Sequence, residues 1–149
     1  MAETGFDAMA NALGIDYGRR RMGLSFADEL GIAFPLDAVP GVDEPGCFDA
    51  LALVVQERQP SLFVLGYPLN MDGSAGPRAL EVDEFAEELE RRFALPVEKV
   101  DERLTTYQAE SDANQSGRRR KNRGEVDSIA ATLILRDYLD SHAAASDES

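Results

Sequence analysis

Short apolar or alternating segments along the chain predict five β-strands. They lie at residues 13–16, 22–26, 31–39, 62–65 and 96–100. The first two segments are joined by a short connection of glycine and arginine, which predicts an antiparallel hairpin. The fourth segment is continuously apolar, as is typical of a strand that is buried on both faces of a sheet.

Apolar residues at helical spacing predict four helices between and after these strands. The first begins near Phe48 and is stopped by Pro60, and the others span residues 77–93, 104–116 and 126–138. Pro77 suits a first helical turn. The last helix is apolar on most sides and is therefore expected to be largely buried, and residues 117–124 are expected to form a polar, basic loop.

The order of these elements predicts the fold. A hairpin followed by right-handed parallel crossovers gives an α/β fold with a mixed five-stranded sheet, three antiparallel strands and then two parallel ones, with helices on both faces. If the first strand lies beside the fourth, the carboxyl ends of strands one, four and five share one edge, where open sheets bind ligands. We expect one domain at residues 12–142, a flexible extension at 1–11 and a disordered acidic tail at 143–149.

Length and composition narrow the class of protein. At 149 residues, 16.3 kDa and 44% hydrophobic residues, the chain can form one well-buried core but not two ordinary domains. The single cysteine, Cys47, excludes an internal disulfide and a thiolate-rich zinc site, which fits a reducing compartment. The only histidine, His142, lies next to the polar tail, which disfavours a catalytic thiol. Since no long apolar run is present, we expect a cytoplasmic protein with no membrane contact.

The net charge of -13 argues against a protein that coats nucleic acid non-specifically, because affinity for phosphates comes largely from Lys and Arg. The basic residues are nevertheless clustered, at residues 19–21 and 118–123, while many acids lie in the helix at 81–90. Such clusters are often merely solvated faces. Their closeness in sequence to the acids described next favours contact with a nucleic-acid backbone. No aromatic residues interleave the cluster at 118–123, so base stacking is not indicated there.

Three acids occur where predicted elements begin or end. Asp16 ends the first strand, Glu102 follows the fifth, and Asp127 lies in the expected first turn of the last helix. Strands one and five would lie about 10 Å apart, a gap that these carboxylates can span around one or two cations. Mg²⁺ and Mn²⁺ prefer oxygen ligands and can activate water against a phosphodiester. Three convergent acids therefore predict a metal-dependent nuclease.

Each acid also has a simpler interpretation when it is taken alone. Asp16 could form a salt bridge with Arg21, Glu102 could be an ordinary polar strand end, and Asp127 could cap its helix. The turn-rich segment 66–73 could bring backbone N–H groups to a phosphate that Asn70 orients, or be a plain surface loop. Two threonines after Glu102 could contact phosphates, although capping of the next helix is the commoner outcome.

Four segments, at residues 13–28, 63–73, 100–106 and 126–135, resemble the motifs of the YqgF/RuvX family, in the order of that family. The resemblance spans residues 13–139 and implies an RNase H-like fold. It also implies a Mg²⁺- or Mn²⁺-dependent nuclease that processes the precursor of the small-subunit (16S) ribosomal RNA in the cytoplasm, or a Holliday junction resolvase. The acids of the family fall on Asp16, Glu102 and Asp127, and Arg21 matches the arginine of its first motif. Arg19 and Arg20 make the first turn more basic than usual, which leaves the substrate preference open.

Residues expected to contact substrate are basic or polar and lie close in sequence to the acids or in the turn-rich segment. They are Arg19, Arg20, Arg21, Asn70, Arg103, Thr105, Thr106, Arg118, Arg119, Arg120, Lys121 and Arg123. The expected partner is RNA, as the rRNA precursor alone or on a ribosome assembly intermediate, or branched DNA, bound by a monomer or a homodimer. A resolvase would need a dimer. A non-catalytic accessory module is disfavoured because all three acids are present, and an actin-like ATPase needs a second phosphate-binding half for which the chain has no room.

Overall fold

The computed structural model describes residues 11–101 and 123–147. Eight elements follow one another in this part of the chain: β1 (Ala12–Asp16), β2 (Arg21–Ala27), β3 (Ala33–Pro40), α1 (Cys47–Arg58), β4 (Leu62–Tyr67), α2 (Pro77–Phe93), β5 (Val97–Asp101) and α3 (Arg123–Asp147). All five predicted strands are present, each with a shift of a few residues at most at its ends. The predicted helix at 104–116 lies outside the described residues.

The five strands form one mixed sheet in the order β3-β2-β1-β4-β5. The pairs β1–β2 and β2–β3 are antiparallel, and the pairs β1–β4 and β4–β5 are parallel. This order confirms the predicted sheet. Because β1, β4 and β5 run in the same direction, their carboxyl ends lie along one side of the sheet, which we call the carboxyl edge.

The two faces of the sheet are covered by different helices. Alternate residues of β1, such as Leu13 and Ile15, pack in a buried cluster that includes Leu51 of α1 and Phe85 of α2. The intervening positions face α3, where a second buried cluster contains Ala12, Ala27, Val64, Val100, Ile134 and Leu135. The central strands β1 and β4 are therefore buried on both sides, which explains their continuous apolar sequences.

Local signals explain where the helices begin and end. Pro77 occupies the first turn of α2, where its missing N–H costs no hydrogen bond. Gln59 and Ala94 end α1 and α2 in the left-handed conformation, and their N–H groups bond to Val55 and Glu90. In the part of the chain that the structure describes, no helix is both long and apolar enough to cross a membrane.

Helix α3 is longer than the sequence predicted. It begins at Arg123, inside the segment expected to be a loop, and it continues to Asp147, into the segment expected to be a disordered tail. The loop prediction relied on Gly124, but one glycine costs a helix only about 1 kcal/mol. The tail prediction relied on the terminal position of residues 143–149, whereas residues 143–145 are alanines, the strongest helix formers. The division into an extension, a domain and a tail stays a prediction.

Candidate functional site

Asp16 lies at the carboxyl edge, on the face of the sheet that α3 covers. It is the last residue of β1 and pairs with Gly23 of β2. Directly opposed residues of an antiparallel pair point to the same face. A Cβ atom on Gly23 would lie 1.9 Å from the carbonyl oxygen of Asp127 in α3, so this face is the one beneath α3. The half-buried Asp16 side chain therefore belongs to the same face and edge as Asp127.

Asp127 is held by an arginine of β2. The Arg21 Nε atom donates to Asp127 Oδ2 at 3.0 Å, and the two side chains are 37% and 27% exposed. Arg21 thus forms an ion pair with Asp127, a contact that the sequence did not predict. Because α3 begins at Arg123, Asp127 lies one turn inside the helix, which rules out its interpretation as an N-cap.

Small residues and buried hydrogen bonds bring α3 onto β2. Gly23 leaves room for the backbone of Asp127, and Ser25 donates from its hydroxyl to the Ala131 carbonyl at 2.7 Å. At the irregularity between Met22 and Leu24, the Leu24 N–H donates to Ser128 Oγ at 3.3 Å. Both serines are buried. These contacts fix the backbone around Asp127 relative to the strand that pairs with β1.

The third predicted acid, Glu102, lies outside the described residues, as do Arg103, Thr105, Thr106, Arg118, Arg119, Arg120 and Lys121. Val100, two residues before Glu102, packs on the α3 side of the sheet. Over residues 11–101 and 123–147, no group of three His, Cys, Asp or Glu could hold a metal ion. Mg²⁺ and Mn²⁺ fit a set of one or two protein carboxylates because they keep several waters, so the chemistry of Asp16 and Asp127 suits such a cation.

The three predicted substrate-binding arginines of the β1–β2 turn have different surroundings. Arg19 forms a two-point contact with Glu81 of α2, at 3.1 Å from Nε and 2.5 Å from an amino group. Arg20 is exposed, and Arg21 contacts Asp127 on the opposite face. The turn itself is fixed by the backbone of residues 41–43, whose N–H groups donate to the carbonyls of residues 18–20.

Two tyrosine–carboxylate–cation groups fasten α2 to the carboxyl edge. Tyr17 and Arg19 contact Glu81, while Tyr67 and Lys99 donate to Asp83 at 3.0 and 2.7 Å. The pKa of Glu81 is lowered by its hydrogen bond from Arg19, and the pKa of Asp83 by its hydrogen bond from Lys99. Burial and the nearby Glu81 raise the pKa of Tyr17. Sequence reasoning missed these groups because it treated the acids of α2 as solvated; the tyrosines at two strand ends were the available signal.

Glu81→Gln is expected to lower the thermal midpoint at neutral pH and to have a progressively smaller effect as the pH falls below 4.5. A carboxyl whose folded pKa lies below its ordinary value of 4.5 stabilises the fold above that value, and the stabilisation is lost as the pH falls through the folded pKa. Thermal unfolding between about pH 2 and pH 7 measures the effect. The matched control is Glu87→Gln, an exposed acid of the same helix, and an equal pH profile for both variants would contradict the prediction.

Asn70, the remaining described candidate, lies in the segment between β4 and α2. Its side-chain amide donates to Ser74 Oγ at 3.0 Å and packs on Gly76, where a Cβ would lie 3.2 Å away. Asn70 thus stabilises this turn, and its contact with a phosphate stays a prediction. Arg123 is the first residue of α3, and its role in substrate binding also stays a prediction.

Sequence comparison places the chain among a set of related bacterial proteins. Residues 10–141 match the family described as "RuvX: Holliday junction resolvase". A protein of Opitutus terrae named "Putative pre-16S rRNA nuclease" is 46% identical over 86% of this chain and 90% of its own length. A protein of the same name from Synechococcus elongatus is 40% identical over 87% of this chain and 88% of its own length.

Structure comparison gives distant neighbours that cover nearly the whole chain. The RuvC of T. thermophilus in complex with a Holliday junction substrate has a TM-score of 0.56 at 13% identity, over 91% of this chain and 96% of that one. The Fowlpox virus resolvase in complex with Holliday junction DNA has a TM-score of 0.52 at 9% identity, over 89% of this chain and 98% of that one. At these identities the similarity concerns the fold, and it confirms the RNase H-like architecture.

Proposed function

This chain belongs to the RuvX family, and from that premise we propose that it is a divalent-metal-dependent nuclease that processes the precursor of 16S ribosomal RNA in the cytoplasm. The observation that carries the proposal is the position of Asp16 and Asp127 on one face of the sheet at the carboxyl edge. The extensive similarity to relatives named for pre-16S rRNA cleavage supports the choice of substrate.

The metal would be held by Asp16, Asp127 and Glu102. A bound divalent cation activates water and stabilises the charge that develops on a phosphate. Glu102 is included because the resemblance to the family motif implies an acid at this position. Val100, two residues earlier, packs on the same side of the sheet as Asp127, which supports this choice. Arg21 neutralises part of the negative charge of Asp127, which lowers the cost of holding carboxylates close together before a cation binds.

Basic and polar residues around the carboxyl edge would position the RNA backbone. Arg20 is exposed and available for this contact, whereas Arg19 would have to exchange Glu81 for a phosphate. Arg21 forms an ion pair with Asp127, so only the exposed part of its side chain is available to contact the substrate. The remaining contacts are proposed for Asn70, Arg103, Thr105, Thr106, Arg118, Arg119, Arg120, Lys121 and Arg123.

A second candidate function is resolution of Holliday junctions. The description of the matching family favours it, since it names that activity. Junction resolution would use the same carboxylates. It also requires a dimer, because two active sites must cut two strands. The relatives named for pre-16S rRNA cleavage are the reason that we place RNA first.

A parallel assay of two substrates tests the proposed function. The purified protein is incubated with Mg²⁺ or Mn²⁺ and either an RNA that spans the end of the 16S precursor or a four-way DNA junction. We expect cleavage of the RNA that stops when the metal is chelated and in Glu102→Gln. Symmetric nicking of the junction without RNA cleavage would replace the RNA proposal by the resolvase. Cleavage that survives chelation, or that Glu102→Gln retains in full, would contradict the metal site.

A further inference from the structure

A small hydrogen-bonded turn lies between β4 and α2. A single β-bridge joins Leu69 to Ala75, the Asn70 N–H donates to the Ser74 carbonyl at 2.9 Å, and the Gly73 N–H donates to the Asn70 carbonyl at 2.8 Å. Gly73 has a φ of 88°, a left-handed conformation that glycine adopts at little cost. We call residues 69–75 the edge turn, because β4 ends at the carboxyl edge only two residues before it.

Side chains reinforce the edge turn from within. The Asn70 amide donates to Ser74 Oγ at 3.0 Å, and that hydroxyl donates in turn to Asp72 Oδ1 at 2.6 Å. The Ser74 N–H also donates to Asp72 Oδ1, at 2.9 Å. These hydrogen bonds stabilise the conformation of the turn, and this limits the conformational entropy that the turn would lose when it binds a ligand.

The edge turn presents an apolar side chain to solvent. Met71 is 91% exposed, more than any other large apolar residue in the described parts of the chain, where Leu30 follows at 74%. A single exposed apolar residue needs no explanation in general. Met71 differs in its setting, because it lies in a hydrogen-bonded turn that follows β4, the parallel neighbour of the strand that carries Asp16.

We propose that Met71 contacts a nucleobase of the substrate, as an apolar wedge at the carboxyl edge. This inference rests on the proposed nuclease function. The faces of nucleobases are apolar, and methionine is among the residues that insert at or between base steps because its thioether chain is polarizable and adaptable. A chain with a net charge of -13 gains limited affinity from phosphates. An apolar contact would supply binding that does not depend on salt.

The test measures RNA affinity in the Asp16→Asn background, in which we expect cleavage to be about a thousandfold slower than in the parent. The probe is an RNA that spans the precursor end and carries 2-aminopurine, whose fluorescence reports unstacking, at successive positions. Met71→Ala should weaken binding about tenfold at every salt concentration without changing the slope against salt. It should also abolish the fluorescence change at one position, whereas Met71→Leu should preserve both signals.

Two further variants make the test specific. Leu80→Ala removes another exposed apolar side chain, 57% exposed on α2, and should change neither affinity nor fluorescence. Ser74→Ala removes the two hydrogen bonds of the Ser74 hydroxyl within the edge turn and should weaken binding, although we assign Ser74 no contact with a base. Circular dichroism of each variant verifies that the fold is kept.

The results separate this inference from the function on which it rests. If Met71→Ala binds the RNA as tightly as the parent, or if its loss of affinity disappears at high salt, the wedge is wrong, and a protein contact becomes the better role for Met71. If the parent itself neither binds nor cleaves the RNA, the proposed function fails as well. If the unmodified protein cleaves the RNA and Met71→Ala binds it as tightly as the parent, the proposed contact of Met71 with a nucleobase is wrong and the proposed nuclease function stands.

Discussion

Asp16→Asn is expected to lower the rate of RNA cleavage about a thousandfold, because a metal ligand that contributes roughly 4 kcal/mol to the transition state is lost. Asparagine keeps the size and hydrogen-bonding oxygen of the side chain but removes its charge. The fold should therefore remain within about 1 kcal/mol of the parent in stability. Single-turnover cleavage, together with Mn²⁺ binding measured by calorimetry, should show that rate and metal affinity fall together.

Asp127→Asn should lose a similar factor in rate and metal affinity, with one difference. It also breaks the ion pair with Arg21, which is partly exposed and stabilises the fold by up to about 1 kcal/mol. The control is Asp137→Asn, an exposed acid ten positions further along α3, which should behave as the parent does. Retention of more than about a tenth of the parent rate by Asp16→Asn would exclude this carboxylate as a ligand.

Gly23→Ala should destabilise the protein by about 3 kcal/mol and reduce activity by about a hundredfold. The new Cβ would lie 1.9 and 2.1 Å from the carbonyl oxygen and carbon of Asp127 and 2.6 Å from the Ser128 nitrogen. These are backbone atoms on both sides of the contact, so no side-chain rotation relieves the overlap. Helix α3 must move away from β2, and Asp127 then moves away from Asp16.

Urea unfolding and cleavage assays of Gly23→Ala test this prediction. Gly31→Ala is the matched control, because Gly31 has a φ of 79° and open space around its Cβ position. That variant isolates the cost of backbone strain, about 1 kcal/mol, and should leave the rate unchanged. Equal losses in the free energy of unfolding for the two variants would mean that the close contact between Gly23 and Asp127 does not contribute to the cost of Gly23→Ala.

Much of the fold could be predicted because its signals are local. The continuous apolar run of β4 indicated a strand buried on both faces, the short connection before β2 indicated a hairpin, and Pro77 marked the start of α2. Asp16 could be selected because an acid at the end of a buried strand requires a partner or a function. For each of these features, a few neighbouring residues carry the information.

The features that the sequence did not predict depend on distant parts of the chain. Arg21 and Asp127 are 106 positions apart, and only the packing of α3 on β2 pairs them, whereas the sequence offered the nearby Asp16 as the partner of Arg21. In the sequence, Gly23 is indistinguishable from an ordinary strand residue, and only the close contact with the backbone of α3 explains why it is a glycine. Glu81 and Asp83 gave no sign of their contacts with strand ends, because helix periodicity does not encode which tyrosine or lysine lies opposite.

The packing of α3 against β1 and β2 also has a consequence for protein synthesis. The ribosome releases the strands that carry Asp16 and Gly23 long before it completes α3, which supplies Asp127, Ser128 and most of the cover for one face of the sheet. A nascent chain can therefore form the hairpin and the cluster against α1 and α2, but it has no complete pair of aspartates. The proposed site can assemble only after α3 has been synthesised, so we expect an unfinished chain to be inactive.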